Sequence, residues 1–219
     1  MNKKVHTIAI IAGGTPPDRF LRDIRHADLI IGADRGALWL TKHDIHPDIA
    51  IGDFDSVTMR EKSQIATYAK RMLVYPPEKD ATDLELAIDE SVKLAPKTVV
   101  IYGAFGSRFD HSLAALHMLL KLESHNISGQ IVDNFNKISI VRRQIRIKRD
   151  AKFQYVSILP IQSSATVSLR GFYYNLTCVR IESASTRGIS NEIIAADASI
   201  LVHNGKIVVI QSADTPMIG

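Results

Sequence analysis

The sequence predicts an α/β chain in two parts: an N-terminal, mostly parallel sheet flanked by helices, then a small C-terminal antiparallel β-sandwich or jelly roll. Three observations predict it. Short apolar runs alternate with helical periodicity through the first part, the pattern of parallel strands joined by crossover helices. The texture changes around Ile138–Lys148, beyond which no helical stripe of useful length remains. Polar motifs also follow five successive predicted strands, at the edge where open α/β sheets bind ligands. The boundary falls after Arg142, giving an α/β domain at 1–142 and a β-domain at 143–219.

In the first part, strands are predicted at 7–12, 29–33, 49–52, 72–75, 98–103 and 130–132, and helices at about 17–25, 36–42, 59–71, 83–95 and 109–125. Thr58-Met59-Arg60-Glu61 and Thr82-Asp83-Leu84-Glu85 spell capping boxes, and Ser107 stands where it would cap the last helix. Leu113, Leu116, His117 and Leu120 share a stripe of that helix, which is expected to pack on the sheet. Trp39 is expected in the core. In the second part, β-like runs at 145–147, 154–159, 166–169, 177–181, 198–203 and 206–211 are separated by turn signals. Asn204-Gly205 reads as a hairpin turn, and Cys178 as a packed small hydrophobe.

The 219 residues are 46% hydrophobic and 23% charged, which excludes a disordered or collagen-like chain. No apolar run reaches the roughly 18 residues of a membrane span. One cysteine permits neither an intrachain disulfide nor a cysteine metal cluster, so a reducing compartment and a soluble cytoplasmic protein are expected. The net charge of +4 resides in the second part: 18 basic and 18 acidic residues lie up to Arg142, against 9 and 5 after it. The basic run Arg142, Arg143, Arg146, Lys148 and Arg149 has no interleaved aromatic residue. It reads as an exposed strand face, and no nucleic-acid partner is expected.

The chemistry lies after the predicted strands. Asp34-Arg35-Gly36 follows the second, Asp53-Phe54-Asp55-Ser56 the third, Lys79-Asp80-Ala81-Thr82-Asp83 the fourth, Ser107-Arg108-Phe109-Asp110-His111 the fifth, and Asp133-Asn134 the sixth. Seven carboxylates (Asp34, Asp53, Asp55, Asp80, Asp83, Asp110 and Asp133) are thereby directed toward one crevice. So many acids do not all ionise in a small space without cations. Mg²⁺ is the economical choice, a hard ion that takes oxygen ligands and bridges substrate phosphates. Arg108 supplies a fork suited to phosphate and Lys79 a point charge, while His111 is placed to touch a phosphate. Each residue has a plainer alternative: Thr82 and Asp83 suit an ordinary helix start, Arg108 and Asp110 a surface ion pair, Asp34 a turn. Joint placement favours a site. The chain contains neither Gly-x-x-x-x-Gly-Lys-Ser/Thr nor Gly-x-Gly-x-x-Gly, so P-loop and dinucleotide sites are excluded. His43 and His46 lack a third ligand for zinc.

Taken in order, Gly32–Ala37, Pro47–Ser56, Lys79–Asp83, Gly103–His111 and Ile189–Glu192 resemble the motifs of thiamine pyrophosphokinases, and the resemblance spans the whole chain. It implies a catalytic α/β domain binding ATP and Mg²⁺, a β-domain that helps bind thiamine, and a homodimer with sites between subunits. The implied reaction transfers the pyrophosphoryl group of ATP to the thiamine hydroxyl, giving thiamine diphosphate and AMP. On this resemblance Asp53, Asp55 and Asp83 hold Mg²⁺. Lys79, Thr82, Arg108, His111, Asp133 and Asn134 bind ATP, and Arg108 with Lys79 stabilises charge on the transferring group. Asp34, Asp80, Arg108 and Asp110 are the catalytic set: Asp110 orients Arg108 or joins the metal shell, and Asp34 aligns the hydroxyl or binds a second metal. Ser190 and Asn191 correspond to the thiamine site, or else form a polar turn. No aromatic residue follows Tyr174, where some relatives stack a ring on thiamine. Two rivals remain at this point: another Mg²⁺-dependent phosphate enzyme, such as a nucleotide-sugar transferase using Asp53-x-Asp55, and a non-catalytic thiamine or nucleotide sensor.

Overall fold

The computed structural model describes residues 5–14, 16 and 18–215. They fall into two compact units, Met1–Asp133 and Asn134–Gly219. Among the described residues no helix is long and apolar enough to cross a membrane.

The first unit runs β1 (Thr7–Ile11), a 3₁₀ turn (Asp18–Phe20), α1 (Leu21–Arg25), β2 (Leu29–Ala33), α2 (Arg35–Lys42), β3 (Ile49–Gly52) and α3 (Met59–Tyr68). It continues with β4 (Arg71–Val74), α4 (Asp83–Lys93), β5 (Thr98–Tyr102), α5 (Phe109–Ser124) and β6 (Ser128–Val132). Pro17, the predicted start of the first helix, lies outside the described residues. The six strands are parallel, in the order β4-β3-β2-β1-β5-β6. The chain steps outward from β1 to β4, then returns to β5 on the other side of β1. The sheet therefore reverses between β1 and β5, where a crevice opens at the strands' carboxyl ends. Helices on both faces explain why β1 and β3 are nearly continuous apolar runs: Ile8, Ile10, Ile11, Ala50 and Ile51 are all buried.

Two helix details differ from the sequence expectation. On α5 the buried residues are Ala115, Leu119 and Leu122, while Leu113 is 43% exposed and His117 faces solvent. The reason lies on β6, where Gly129 leaves room for Leu119 and Leu122. The groove, more than the average hydrophobicity of the helix, selects its buried stripe. Ser107 does not cap α5; Arg108 is the N-cap residue and makes no side-chain cap bond. Thr58 and Glu61 form the full capping box on α3. Thr82 completes half of one on α4, accepting from the Glu85 N–H at 3.2 Å, because the Glu85 carboxylate turns to Lys121 of α5 at 3.1 Å.

The second unit contains β7 (Asn136–Val141), β8 (Gln144–Lys148), β9 (Tyr155–Pro160), β10 (Ser164–Arg170), β11 (Leu176–Glu182), β12 (Asp197–Asn204) and β13 (Ile207–Ser212). Strand β7 has no counterpart among the predicted runs, since adjacent Ile140 and Val141 break the alternation. Strands β7, β13 and β9 pair antiparallel in that order. A second antiparallel sheet is ordered β11-β10-β12-β8. Val141, Val156, Ile158, Ile207 and Val209 from the first sheet and Ile147, Val167, Leu169, Ile181 and Ile200 from the second join Phe172 in one buried cluster. This is the packing of a β-sandwich. Asn204-Gly205 does not close a hairpin: β12 and β13 belong to different sheets, and Gly205, at φ +83°, carries the chain across the core. Cys178 is exposed, not packed. It sits at φ +51°, beside a register shift between β10 and β11, and its N–H donates to Ser168 Oγ at 2.9 Å.

Phe172 is 1% exposed at the centre of this cluster. Phe172→Ala is expected to cost about 3–5 kcal/mol in urea unfolding. Leu201→Ala, on the outer face at 44% exposure, is expected to stay within about 0.5 kcal/mol.

Candidate active site

The site begins with neighbouring strands. β2 and β3 are paired in register, Ala33 opposite Ile51, so the residues just beyond them come close together. Asp34 leaves β2 at φ +48° and its N–H donates to the Ile51 carbonyl at 2.9 Å. Gly52 ends β3 at φ +151°, and a Cβ there would lie 3.3 Å from both the Asp34 nitrogen and the Asp83 carboxyl carbon. Only glycine suits that conformation without strain.

Phe54 sits at φ +58°, a left-handed conformation that costs a bulky residue of order 1–3 kcal/mol. Its burial, at 3% exposure in a cluster with Ala37, Leu38, Ala50 and Ile65, offsets that cost. The resulting turn leaves Asp53 in the crevice and sends Asp55 to the surface, where the Asp55 N–H donates back to Asp53 Oδ1 at 3.2 Å. Lys79 reaches in from the loop after β4, and Asp83 from the first turn of α4.

Asp34, Asp53 and Asp83 each offer an oxygen, and these oxygens lie within 4.8 Å of one another. Asp34 Oδ2 accepts from Ser56 Oγ at 2.5 Å, while its Oδ1 is buried without a hydrogen bond. The Lys79 ammonium hydrogen-bonds Asp53 Oδ2. It also lies 3.1 Å from Asp83 Oδ1, an ion pair whose angle leaves that buried oxygen without a hydrogen bond. The hydrogen bond from Lys79 holds the Asp53 carboxyl below the ordinary range. Burial, helped by the charges of Asp53 and Asp34, pushes Asp83 up against the pull of Lys79. Asp55 is raised chiefly by the charge of Asp53. Burial alone would lower Lys79, but its hydrogen bond to Asp53 and its closeness to the Asp83 carboxylate outweigh that and raise it. Three hard oxygen donors, two orphaned carboxylate oxygens and an acid destabilised in its charged form together suit a hard divalent cation.

These groups line a cleft of about 740 Å³ whose other wall is the Gly103–Arg108 loop and the start of α5, including His111. Arg108 stands exposed at the rim and grips Asp110 through both carboxylate oxygens, at 3.2 and 2.5 Å. The bond from Arg108 brings the Asp110 carboxyl down to about 2. Thr82 borders the cleft beside Asp83. Asp55 and Asp80 are exposed and outside the cleft lining. Asp133 ends the first unit, its carbonyl accepting from Arg19 Nη2 at 2.8 Å, and Asn134 opens the second. In the second unit Asn191 is buried. Its Oδ1 accepts from the Tyr174 and Glu192 N–H groups, both at 3.0 Å, and its Nδ2 donates to the Tyr174 carbonyl at 2.8 Å. Ser190 is exposed, and its N–H donates to Ser157 Oγ at 2.9 Å. Three residues that shape the site had no assigned role in the sequence reading: Gly52, Phe54 and Ser56. The Gly-Asp-x-Asp-Ser spacing marked their place, but not their backbone conformation.

A parallel α/β sheet with a carboxylate cluster and a cleft of several hundred Å³ at its carboxyl edge, joined to a β-sandwich, is the build of a kinase-type transferase. Residues 20–131 match the family profile described as thiamin pyrophosphokinase, catalytic domain, and residues 142–207 match thiamin pyrophosphokinase, vitamin B1 binding domain. The thiamine pyrophosphokinase of Bacillus subtilis (strain 168) is 35% identical over 214 residues, covering 95% of this chain and 99% of its own. A crystal structure of thiamine pyrophosphokinase from Bacillus subtilis superposes with a TM-score of 0.89 at 34% identity, covering 95% of this chain and 100% of that one. The enzyme from Geobacillus thermodenitrificans gives 0.85 at 32%, covering 95% and 98%. At 15% identity, the thiamin pyrophosphokinase of Candida albicans shares the fold with a TM-score of 0.81 over 95% of this chain and 90% of its own. The chain belongs to the thiamine pyrophosphokinase family, which removes the nucleotide-sugar transferase and sensor readings.

Gly52→Ala adds a methyl group between Asp34 and Asp83 in a backbone conformation alanine resists. The expected outcome is a roughly 10–100-fold loss of divalent-cation affinity, the range seen when groups supporting metal ligands are altered, read by calorimetric titration with Mn²⁺.

Proposed function

We propose that the protein catalyses Mg²⁺-dependent pyrophosphoryl transfer from ATP to the hydroxyl of thiamine, yielding thiamine diphosphate and AMP, and that it does so as a cytoplasmic homodimer. The observation that carries the metal-dependent reading is the trio Asp34, Asp53 and Asp83, two of whose buried oxygens accept no hydrogen bond, countered by Lys79.

Asp34, Asp53 and Asp83 would hold the ion, with Asp55 as an outer acceptor in the field of Asp53 and Asp34. Held by these residues, the ion would supply positive charge to the polyphosphate oxygens. The hydroxyl attacks the β-phosphorus in line and releases its proton to water; its new P–O bond forms as the bond to the departing AMP oxygen breaks. Such transfers depend on positioning and charge neutralisation more than on covalent chemistry. Asp110 pairs with the Arg108 guanidinium at the exposed cleft rim, within reach of the transferring group. The N-terminus of α5, without a side-chain cap from Arg108, and that of α4 beside Thr82 suit anionic phosphate. His111, Asp133 and Asn134 complete the proposed nucleotide contacts, and Asp80 a more distant carboxylate of the same edge. Ser190 offers an exposed hydroxyl to thiamine, while Asn191 fixes the loop that carries Tyr173 and Tyr174.

Incubation with Mg²⁺, ATP and thiamine tests the reading directly, with AMP and thiamine diphosphate formed in equal amounts as the expected result. ATP bound without AMP release overturns it. Asp53→Asn is expected to leave a folded protein whose turnover is lower by at least ~10²-fold. Arg108→Ala should lower kcat strongly with little change in thiamine KM, and a collapse of thiamine affinity instead would remove Arg108 from the phosphate role.

A further inference from the structure

We propose that Lys79 is a resident counter-cation of the carboxylate cluster, which a divalent ion must displace from Asp53 and Asp83 before it can bind. Displacement releases the ammonium into the cleft, toward the polyphosphate. The inference rests on the metal-dependent reading above.

The two cations compete for the same carboxylates. Lys79 Nζ hydrogen-bonds Asp53 Oδ2 and lies 3.1 Å from Asp83 Oδ1; both residues belong to the trio whose oxygens lie within 4.8 Å of one another. A divalent ion and an ammonium crowd each other on those carboxylates, because at such separations their repulsion is large wherever water is scarce. The Lys79 side chain is 13% exposed, so this place is only partly wet. Lys79 is also tethered four residues before Asp83, so it faces the cluster at high effective concentration and competes well against a dilute ion. The neighbouring Lys62 does not substitute for it: Lys62 Nζ reaches the Asp53 main-chain oxygen at 3.5 Å and lies over the Phe54 ring.

The competition couples two ligands. Once displaced, Lys79 needs a new anionic partner, and the phosphates of a nucleotide in the same cleft supply one. Metal and nucleotide then favour each other's binding through Lys79, beyond what their own chelation provides.

Calorimetric titration of nucleotide-free protein with Mn²⁺ tests this on wild type, Lys79→Met and Asp53→Asn. Lys79→Met is expected to bind Mn²⁺ at least about tenfold more tightly than wild type, as removing a competing charge contact worth about 1.4 kcal/mol would do, and Asp53→Asn more weakly. Thermal melts give an independent readout. In EDTA, Lys79→Met should melt below wild type, and Mn²⁺ should raise its Tm by the larger amount. Should Lys79→Met fail to fold, Lys79→Gln, which keeps a polar tip without the charge, is expected to move both readouts in the same direction. Equal or weaker Mn²⁺ binding by the Lys79 variant, with Asp53→Asn still losing it, overturns the competition and leaves the metal site standing. No binding by wild type and variant alike overturns both.

Discussion

Adjacent parallel strands lie about 4.8 Å apart, and that spacing fixes the chemistry of the site. Asp34 and Asp53 follow neighbouring strands held in register, so their carboxylates are crowded by the sheet itself. Asp83 arrives from a third element and makes the crowding worse. Positive charge is the physical remedy, and Lys79 supplies it from within the chain. The surrounding oddities answer the same constraint. Gly52 leaves no side chain where the three carboxylate-bearing segments converge, Ser56 satisfies one oxygen of Asp34, and the left-handed turn at Phe54 directs one acid inward and the next outward.

The strain in that turn is held by burial. Phe54 is anchored among Ala37, Leu38, Ala50 and Ile65, so the turn is locked by the hydrophobic core beneath it. A site prepared in this way needs little reorganisation when charge moves, which is how preorganised polar groups lower barriers. The facing wall is arranged differently. Arg108 and Asp110 stand exposed at the rim and hold each other in a two-pronged ion pair. The carboxylate wall is thus fixed by packing and the cationic wall by a surface pair that water can loosen. Rigidity lies where the charges are most crowded, and freedom where a substrate must enter and leave.

Much of this was legible in the sequence, because it depended on period and position. The alternation of strands and helices placed five polar-ended segments at one sheet edge, and the Gly-Asp-x-Asp-Ser element marked where two of them meet. What escaped was set by conformation. Nothing in the letters Asp53-Phe54-Asp55 shows that a phenylalanine takes φ +58°, and that angle separates Asp55 from its neighbour. The stripe on α5 was misplaced because the receiving groove is made by Gly129, some way off in sequence. Strand β7 escaped because paired apolar residues hide its alternation. Asn191 was legible as a motif residue, but its three backbone hydrogen bonds, which tie it to Tyr174 and Glu192, follow from loop packing.

The sandwich has a consequence for how the polypeptide matures. Within it, β13 lies between β7 and β9 and pairs with both. Ser139 of β7 faces Val209, seventy residues further along the sequence. During synthesis the two outer ribbons emerge first and must wait, with open edges, for the strand that joins them. Nascent chains therefore pass through a stage with exposed hydrogen-bonding edges, the feature that invites wrong pairing and chaperone capture. Slow translation between residues 160 and 207 would lengthen that stage without altering the finished enzyme.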